Sequence, residues 1–215
     1  MNSKSIILLS GGLDSAVSLF LALKKKHRIN LALTFDYGQK SAAQEIKSAR
    51  HLCRQYKIKH QVINLRWLGK LANNALTNKN KSLPSFSPLS SFPLSSSRAV
   101  WIPNRNALFI NIAASYAEAL KCQYIFTGFN KEEARNFPDN SIAFINAANK
   151  ALKYSTLSKV KIISFTAGMD KKQIIRQAQA LNLDLNKLWS CYEGKRKPCG
   201  KCESCLRRLK VIPYS

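Results

Sequence analysis

The sequence predicts an α/β fold built on a doubly wound, parallel, five-stranded sheet. Short apolar runs typical of buried strands occur at 5–10, 29–35, 60–65, 123–127 and 160–165. Segments with helical periodicity lie near 15–26, 41–57, 104–121, 140–153 and 170–181. This alternation predicts parallel strands joined by right-handed crossovers, with ligands bound beyond the carboxyl ends of the strands.

Length and composition predict one α/β domain, residues 1–185, followed by a small C-terminal region, residues 186–215. The 215 residues are 46% hydrophobic, so a sizeable core is available. The sequence has no apolar run of about eighteen residues and no secretory leader at its start. We therefore expect a cytoplasmic protein with no membrane partner, whose six cysteines serve metal binding or catalysis rather than disulfides.

The formal net charge of +24 is extreme. Such a charge is compatible with a nucleic-acid surface. The lysines and arginines are nevertheless scattered through the predicted helices and are not interleaved with aromatic residues. A general lysine and asparagine bias of the genome is the simpler explanation, and we expect that no nucleic-acid partner is required.

The first predicted strand runs into a glycine turn, Ser10-Gly11-Gly12-Leu13-Asp14-Ser15, which opens a helix near Ala16. This arrangement aims unpaired backbone N–H groups and a helix N-terminus at one point, where an anion binds. The glycines permit positive φ, the serines add hydroxyl donors, and Asp14 caps the helix or helps to hold Mg²⁺. The turn is neither a Walker loop nor a GxGxxG loop. A plain strand–turn–helix junction with a capping serine or aspartate is the alternative.

Residues 71–97 interrupt the alternation of strands and helices. This stretch is rich in Asn, Lys, Ser and Pro and has little periodicity. Loops of that length inside a compact domain are usually lids or disordered excursions. Both interpretations stay open: an irregular lid over a ligand, or a solvated excursion that serves no ligand.

Four cysteines near the C-terminus follow the pattern C-x7-C-x2-C-x2-C, and they are Cys191, Cys199, Cys202 and Cys205. The two overlapping CxxC pairs can chelate a metal ion through closely spaced sulfur atoms. The first cysteine of the pattern supplies the fourth ligand of a tetrahedral site. Four thiolates without a histidine favour a structural zinc ion, which leaves no open coordination position. A 4Fe–4S cluster is the alternative, because thiolates also hold iron–sulfur clusters.

Several strings along the chain make a family resemblance specific. The string SGGLDS at 10–15 resembles the PP-loop of the N-type ATP pyrophosphatases, enzymes that transfer AMP to a carbonyl or carboxyl oxygen. The other strings are FDYGQ at 35–39, PNRN at 103–106, TGFN at 127–130, FPD at 137–139, WSCY at 189–192 and CGKCESC at 199–205. Together, from about residue 5 to residue 208, they resemble the 7-cyano-7-deazaguanine synthase family (QueC).

The resemblance implies a PP-loop α/β fold and an ATP-dependent ligase of queuosine biosynthesis that forms carbon–nitrogen bonds. In this family 7-carboxy-7-deazaguanine and ammonia become 7-cyano-7-deazaguanine (preQ0), through adenylated carboxylate and amide intermediates. The resemblance also implies ATP with Mg²⁺ as co-substrate, one structural zinc ion per chain and a homodimer. Adenylation suits this chemistry because a carboxylate is a poor electrophile until one of its oxygens becomes part of a leaving group.

The resemblance divides the candidate site residues into groups. The ATP-binding group is Leu9, Ser10, Gly11, Gly12, Leu13, Asp14, Ser15, Ala16, Val17, Ser18, Leu19, Phe35, Tyr37 and Gly128. The substrate group is Gln39, Asn104, Arg105, Asn130, Glu133, Phe137 and Asp139. The catalytic group is Ser10, Asp14, Ser15, Arg105 and Lys171, and the metal ligands are the four cysteines of the C-terminal pattern.

Two of these residues also have plausible structural roles. Asp139 either caps the next predicted helix or accepts hydrogen bonds from the N1–H and amino groups of a guanine-like base. Lys171 lies in the first turn of a predicted helix, where the helix dipole disfavours a cation. That position favours a contact with phosphate, for which Lys172 is the rival residue.

This chain departs from the family pattern after the fourth predicted strand. Glu133 and Phe137 stand where most members carry Asp and Tyr, and residues 140–141 replace a Cys-Arg pair. The departure bears on base recognition and indicates a variant subgroup.

One alternative function is a PP-loop enzyme that modifies tRNA, although such thiolases usually need an active-site cysteine pair or an open cluster. The second alternative function is a QueC-like nucleotide-binding protein that acts on another partner.

Overall fold

The computed structural model describes residues 3–84 and 94–209, and five parallel strands form its single sheet. They are β1 (Lys4–Leu8), β2 (Arg28–Asp36), β3 (Lys59–Asn64), β4 (Tyr124–Phe126) and β5 (Lys161–Ile163). Their spatial order is β3-β2-β1-β4-β5, and every neighbouring pair is parallel. The predicted doubly wound sheet is therefore confirmed.

Nine α-helices lie in the described part of the chain. They are α1 (Leu13–Lys24), α2 (Ala42–Gln55), α3 (Arg66–Ala72), α4 (Leu94–Ala99), α5 (Arg105–Ala119), α6 (Lys131–Ala134), α7 (Ile142–Ser155), α8 (Lys171–Ala180) and α9 (Glu203–Leu209). Short 3-10 helices occupy Pro138–Asn140 and Leu185–Lys187. No helix among the described residues has the length and apolar character needed to cross a membrane.

The helices cover both faces of the sheet. On one face, α5 and α7 pack against the strands, and Ile110 of α5 is 1% exposed beside Ile6 of β1. On the other face, α1 and α2 pack against the strands, where Leu19 lies beside Ile7 of β1. Helix α8 packs on the outside of α1 through Ile174. Burial of these apolar side chains is the main force that holds the layers together.

The strand order places a crevice at one edge of the sheet. Chain connections turn in opposite directions on either side of β1, because β2 lies on one side of it and β4 on the other. Loops at the carboxyl ends of β1 and β4 therefore diverge and leave room for a ligand between them.

The irregular stretch predicted at 71–97 contains more structure than expected. Helix α3 ends at residue 72 and α4 begins at residue 94. Between them, the Asn74 side chain donates to the Trp101 carbonyl at 2.6 Å, and Leu76 is buried in the core. Residues 74–76 are thus packed on the core, whereas residues 79–82 are exposed. The remainder of the predicted lid, residues 85–93, lies outside the described residues.

Candidate active site

A cavity of about 280 Å³ opens beyond the carboxyl ends of β1, β2 and β4. It brings together all five residues of the predicted catalytic group: Ser10, Asp14, Ser15, Arg105 and Lys171. It also includes Leu9, Gly12, Leu13, Phe35, Tyr37 and Gly128 from the predicted ATP-binding group, and Glu133, Phe137 and Asp139 from the substrate group. Their chemistry changes along the cavity, from hydroxyls and a lysine at the glycine turn to aromatic rings near β2.

Gly11 shapes the glycine turn and anchors it to the protein. Its φ is +74°, a conformation that side chains other than glycine rarely adopt. A Cβ at this position would meet Ser48 Cβ and Ala49 N of α2, both at 2.6 Å. The Gly11 carbonyl accepts a hydrogen bond from Trp189 N–H at 3.0 Å. The turn is consequently clamped between α2 and the C-terminal segment.

The rest of the turn forms the N-terminus of α1. Gly12 is the N-cap in an extended conformation, so only Gly11 uses the positive φ that both glycines permit. Ser10 Oγ lies 3.1 Å from Ser15 Oγ and accepts a hydrogen bond from Gly12 N–H at 3.3 Å. Among the described residues, no side chain caps α1. The structure therefore does not support the alternative of a helix junction capped by serine or aspartate.

Close packing fixes α1 against the end of β4. A Cβ on Gly128 would lie 2.6 Å from Ser15 N, so only glycine fits without a shift of the backbone. The Ser18 hydroxyl donates to the Thr127 carbonyl at 2.7 Å. The start of α1, which carries the unpaired N–H groups, is thus held rigidly beside the cavity.

Lys171 and Asp14 form a largely buried ion pair at the floor of the cavity. Lys171 Nζ lies 2.9 and 2.8 Å from the two carboxylate oxygens of Asp14, and 4.0 Å from Glu133 Oε1. Burial lowers the pKa of the lysine, but the charges of Asp14 and Glu133 outweigh burial and raise that pKa above 10.5. The ammonium is therefore charged at neutral pH. Its predicted rival, Lys172, is exposed.

Arg105 brings a second cation to the cavity. It is the first residue of α5, its Nη1 donates to Tyr37 Oη at 3.2 Å, and its guanidinium lies 5.6 Å from the centre of the Tyr37 ring. Within the described part of the chain, Arg105 forms no ion pair with a carboxylate. A guanidinium held in this way is available for an anionic ligand.

Two pairs of aromatic rings line the cavity. Phe35 of β2 stacks on Phe109 of α5, with the ring centres 4.0 Å apart and the planes at 5°. Trp101 and Phe137 are parallel, with the ring centres 6.1 Å apart and the planes also at 5°. Flat, apolar walls of this kind suit the faces of planar heterocycles.

Asp139 lies in the cavity wall next to the pair formed by Trp101 and Phe137. Burial raises its pKa above the ordinary 3.8, and the charge of Arg105 opposes this rise. The Ser141 hydroxyl caps α7 by accepting a hydrogen bond from Phe144 N–H at 3.0 Å. The proposed capping role of Asp139 is therefore already filled by Ser141, and the Asp139 carboxylate borders the cavity.

Three predicted substrate residues are absent from the described lining of the cavity: Gln39, Asn104 and Asn130. The Gln39 amide is buried and bridges Tyr37 N–H and the Phe35 carbonyl, both at 3.0 Å. Asn104 is exposed, with a φ of +56°. Asn130 is fully buried and caps α6. Gln39 and Asn130 thus support the local backbone through hydrogen bonds, whereas Asn104 adopts a left-handed conformation before α5.

Five members of the predicted ATP-binding group are likewise absent from the described lining: Gly11, Ala16, Val17, Ser18 and Leu19. Apart from Gly11, they lie on buried positions of α1. A helix that packs on a sheet turns such positions toward the core, which explains why a contiguous string overestimates the lining.

Sequence reasoning missed the wall that the C-terminal segment supplies. Trp189, Ser190, Tyr192, Glu203 and Ser204 all border the cavity. Each lies within two residues of a cysteine in the C-terminal pattern. The Tyr192 hydroxyl donates to Glu203 Oε2 at 3.0 Å, and Arg207 pairs with the same carboxylate group. The strings WSCY and CGKCESC were the available signal, but their closeness to the glycine turn was not predictable from spacing.

The four cysteines of the C-terminal pattern lie together. Their sulfur atoms are all within 4.8 Å of one another, and Cys199 Sγ lies 3.9 Å from Cys205 Sγ. Backbone N–H groups of Cys199 and Cys202 each donate to a cluster sulfur at 3.3 Å. Gly200 adopts a φ of +72° in the turn between them. This donor set could hold one tetrahedral metal ion.

Comparison with known proteins places the fold and the family. The sequence profile of the family described as queuosine biosynthesis protein QueC matches residues 4–213. A solved structure of the U34-tRNA thiolase NcsA from Methanococcus maripaludis, with its 4Fe–4S cluster, has a TM-score of 0.54 at 18% identity, and the match covers 96% of this chain and 62% of that one. The NMN synthetase of Francisella tularensis matches with a TM-score of 0.50 at 18% identity over 93% and 71%. At such identities the two structures support the fold alone.

Sequence relatives are much closer. Proteins named 7-cyano-7-deazaguanine synthase are 47% identical in Pelotomaculum thermopropionicum, over 97% of this chain and 96% of the relative. In Desulforamulus reducens the identity is 46% over 97% and 92%, and in Methanosarcina barkeri it is 42% over 97% and 93%. A profile match over nearly the whole chain and relatives at this identity show that the chain belongs to the QueC family of queuosine biosynthesis proteins.

Proposed function

We propose that this protein is a 7-cyano-7-deazaguanine synthase, which uses ATP to convert 7-carboxy-7-deazaguanine and ammonia to 7-cyano-7-deazaguanine. The observation that carries the proposal is identity of 41–47% with eight relatives of that name, each matched over at least 95% of this chain. A cavity with a phosphate-type loop, two cations and parallel aromatic rings supports it.

The reaction requires two activations of the same carbon. A carboxylate oxygen attacks the α-phosphorus of ATP, pyrophosphate leaves, and ammonia displaces AMP to form the amide and release a proton. The amide oxygen is then adenylated in the same way, and loss of AMP and a proton leaves the nitrile. Both activations place negative charge near the α-phosphate, where preorganised donors lower the barrier most.

The glycine turn and Lys171 are proposed to bind the phosphates. Unpaired N–H groups at the start of α1 and the hydroxyls of Ser10 and Ser15 face one part of the cavity. We propose that Asp14 holds Mg²⁺, which would shield phosphate charge, once its pairing with Lys171 loosens. The aromatic region at Phe35 and Tyr37 is proposed to hold the adenine.

The adjoining residues, at the start of α5 and in the segment after β4, are proposed to recognise the deazaguanine carboxylate. Arg105 would bind its carboxylate through charge-assisted hydrogen bonds. Phe137 offers a flat surface beside the base, and Asp139 and Glu133 supply acceptors for its N–H groups. At position 140, where most family members carry the Cys of a Cys-Arg pair, the buried Asn140 side chain donates to Asp139 at 3.2 Å and is proposed to orient that carboxylate.

The cysteine cluster fits a structural zinc ion, and we propose one per chain. Cys191, Cys199, Cys202 and Cys205 offer four thiolates in mutual reach, a donor set that closes the coordination sphere of zinc. With zinc bound, the metal would hold the turn at Gly200 and the start of α9 in a fixed position. We further propose that ammonia is the nitrogen donor, that the protein is a homodimer and that it works in the cytoplasm.

The arrangement of the cysteines weakens the alternative of a tRNA thiolase. The two remaining cysteines, Cys53 and Cys122, pack in hydrophobic clusters on opposite faces of the sheet. Neither belongs to the described lining of the cavity. An active-site cysteine pair of the kind used in sulfur transfer is therefore missing from the described residues of the cavity, and the synthase is the better supported function.

Incubation of the purified protein with 7-carboxy-7-deazaguanine, Mg-ATP and an ammonium salt tests the proposal. Mass spectrometry should detect the nitrile, with the amide as a transient species. Omission of ATP or of ammonium should abolish the nitrile. If neither nitrile nor amide forms while the protein consumes ATP with another acid, the proposed substrate is wrong.

A further inference from the structure

Ser190 is a partly buried serine whose hydroxyl the proposed function leaves without a role. Its Oγ is inaccessible to solvent and, within the described part of the chain, makes no hydrogen bond. Buried polar groups are nearly always paired, because an unpaired group loses its contacts with water and gains none in return. An unpaired hydroxyl in a cavity wall therefore indicates a ligand that pairs with it.

The backbone holds Ser190 opposite the glycine turn. The preceding residue, Trp189, donates its N–H to the Gly11 carbonyl at 3.0 Å. The Trp189 carbonyl oxygen lies 3.4 Å from the position that a Cβ on Gly12 would occupy. The indole N–H of Trp189 donates to the Cys191 carbonyl at 2.8 Å, which fixes the segment on its other side. The location of Ser190 is thus set by the turn and by the cysteine cluster together.

Ser190 stands where the main cavity meets a side chamber of about 30 Å³. Leu13, Lys171 and Ser204 also border both spaces. The chamber is too small for a nucleoside, but it suits the oxygen atoms of a single polar group that extends from the cavity. Its ligand is therefore a part of the molecule bound in the main cavity.

The charges around the chamber select an anion. Lys171 and Arg208 border it, and none of the described residues around it is acidic. Asp14 pairs with Lys171 at 2.8 Å, but it is not among the residues described around the chamber, so a bound phosphate can replace it as the partner of the lysine. Leu13 is the first residue of the twelve-residue helix α1, so the positive end of the helix dipole adds to these charges. An ammonium ion is disfavoured here, whereas a phosphate group is favoured.

We propose that Ser190 is a further nucleotide-binding residue, whose hydroxyl donates to the pyrophosphate portion of ATP beside Lys171. The inference deepens the proposed function and rests on it. The adenine region near Phe35 contributes no described residue to the chamber, so the group that reaches the chamber is the end of ATP remote from the base. The C-terminal segment would thereby supply a donor to the same phosphates that the glycine turn holds.

Calorimetry with Mg-ATP, inorganic pyrophosphate and AMP on wild type and Ser190→Ala tests the proposal. A hydrogen bond to a charged group implies a loss of affinity of about tenfold or more for ATP and pyrophosphate. Affinity for AMP should not change. Ser190→Thr, which keeps the hydroxyl, should recover most of the affinity, and Ser115→Ala, an exposed serine on α5, should match wild type. The melting temperature of Ser190→Ala without ligand should not fall, because no protein partner is lost.

Each alternative result contradicts one identified part of the proposal. If wild type binds neither ATP nor pyrophosphate, the proposed function fails. If wild type binds both and Ser190→Ala binds them as tightly, the assignment of Ser190 fails while the proposed function stands. An equal loss for AMP overturns the pyrophosphate contact. A lower melting temperature with weaker binding, unrelieved in Ser190→Thr, shows that the role of Ser190 is structural.

Discussion

The ammonium nitrogen of Lys171 lies 2.9 and 2.8 Å from the two carboxylate oxygens of Asp14, although the residues are 157 positions apart. The pair connects the first turn of α8 to the first turn of α1 and is largely shielded from solvent. The positive dipole ends of both helices disfavour a cation here. The Asp14 carboxylate is therefore what holds Lys171 in place. When phosphates bind, they can replace this carboxylate as partner of the lysine, and we expect Asp14 to become available for Mg²⁺.

Lys171→Met should remove both stability and turnover. Loss of one partner leaves the Asp14 carboxylate buried without compensation, which costs about 3 kcal/mol of unfolding free energy. We expect Asp14→Asn combined with Lys171→Met to recover part of that loss, because no unpaired charge remains. Urea unfolding of the four proteins of this double-mutant cycle measures the coupling, and nitrile formation should fall by about 10²-fold or more in each variant. A coupling free energy near zero would contradict the ion pair.

Gly11 and Gly12 should respond differently to alanine. In Gly11→Ala the new Cβ would meet backbone and side-chain atoms of α2 at 2.6 Å, in a conformation with positive φ. We expect a loss of roughly 1–3 kcal/mol in unfolding free energy, or failure to fold. In Gly12→Ala the nearest atoms lie at 3.3 and 3.4 Å and the backbone is extended, so stability should be nearly retained while turnover falls. Thermal melts of the two variants provide the comparison, and equal melting temperatures would argue against the clamped turn.

The local pattern of the sequence was sufficient for the sheet and its covering helices. Every end of the ten predicted strands and helices falls within two residues of the structure, because apolar periodicity and glycine turns mark these boundaries directly. Helices α3, α4, α6 and α9 were not predicted. Each has at most seven residues, too few for apolar periodicity to mark it, and the segments beside α3 and α4 depend on tertiary contacts such as that of Asn74 with Trp101.

The candidate site was predictable only where motif and strand end coincide. Asp14 and Arg105 each open a helix at the carboxyl edge of the sheet, so strand order alone places them close together. Tyr192 and Glu203 border the cavity because the C-terminal segment passes beside it. The spacing of residues along the sequence does not specify that path. Asn130 shows what a motif does not specify, since its side chain is fully buried and caps α6 beside the cavity, and its role toward the substrate stays a prediction. The predicted division at residue 185 stays a proposal.

The cysteine cluster should bind one zinc ion per chain. Cys199→Ser should lower the zinc content sharply, while Cys53→Ala, a change on the buried face of α2, should leave it intact. Chelation should loosen the C-terminal segment, because metal binding and local folding are coupled. Elemental analysis gives the stoichiometry, and Trp189 fluorescence, with Trp189→Phe as the reference, reports the loosening. A brown protein that contains iron instead of zinc would reverse the assignment.

Asp139→Asn should weaken substrate binding without loss of stability. Burial raises the pKa of Asp139 above 3.8, so the folded protein holds this proton more tightly than the unfolded chain does. The ionised carboxylate therefore lowers stability as pH rises from 3.8 through the folded-state pKa, and that penalty persists at neutral pH. Asparagine avoids it, so the variant should be at least as stable as wild type at pH 7, with the difference vanishing near pH 3.8.

Melting curves at the two pH values and the KM for 7-carboxy-7-deazaguanine test this. Asp170→Ala is the matched control, because Asp170 caps α8 and its loss should cost about 1 kcal/mol at pH 7. Lower stability of Asp139→Asn at pH 7, with an unchanged KM, would show that Asp139 is a structural residue.

Arg105→Lys should distinguish the two halves of the proposed reaction. Arginine offers a planar fork that matches a carboxylate, and lysine does not, so the substitution should cost the first half-reaction about 10²-fold in kcat/KM. The intermediate amide is neutral and gains less from a cation, so conversion of added 7-amido-7-deazaguanine to the nitrile should fall only a few-fold. Arg176→Lys, at an exposed position on α8, should leave both rates unchanged. Equal losses in both halves would instead assign Arg105 to the nucleotide phosphates, which both activations require.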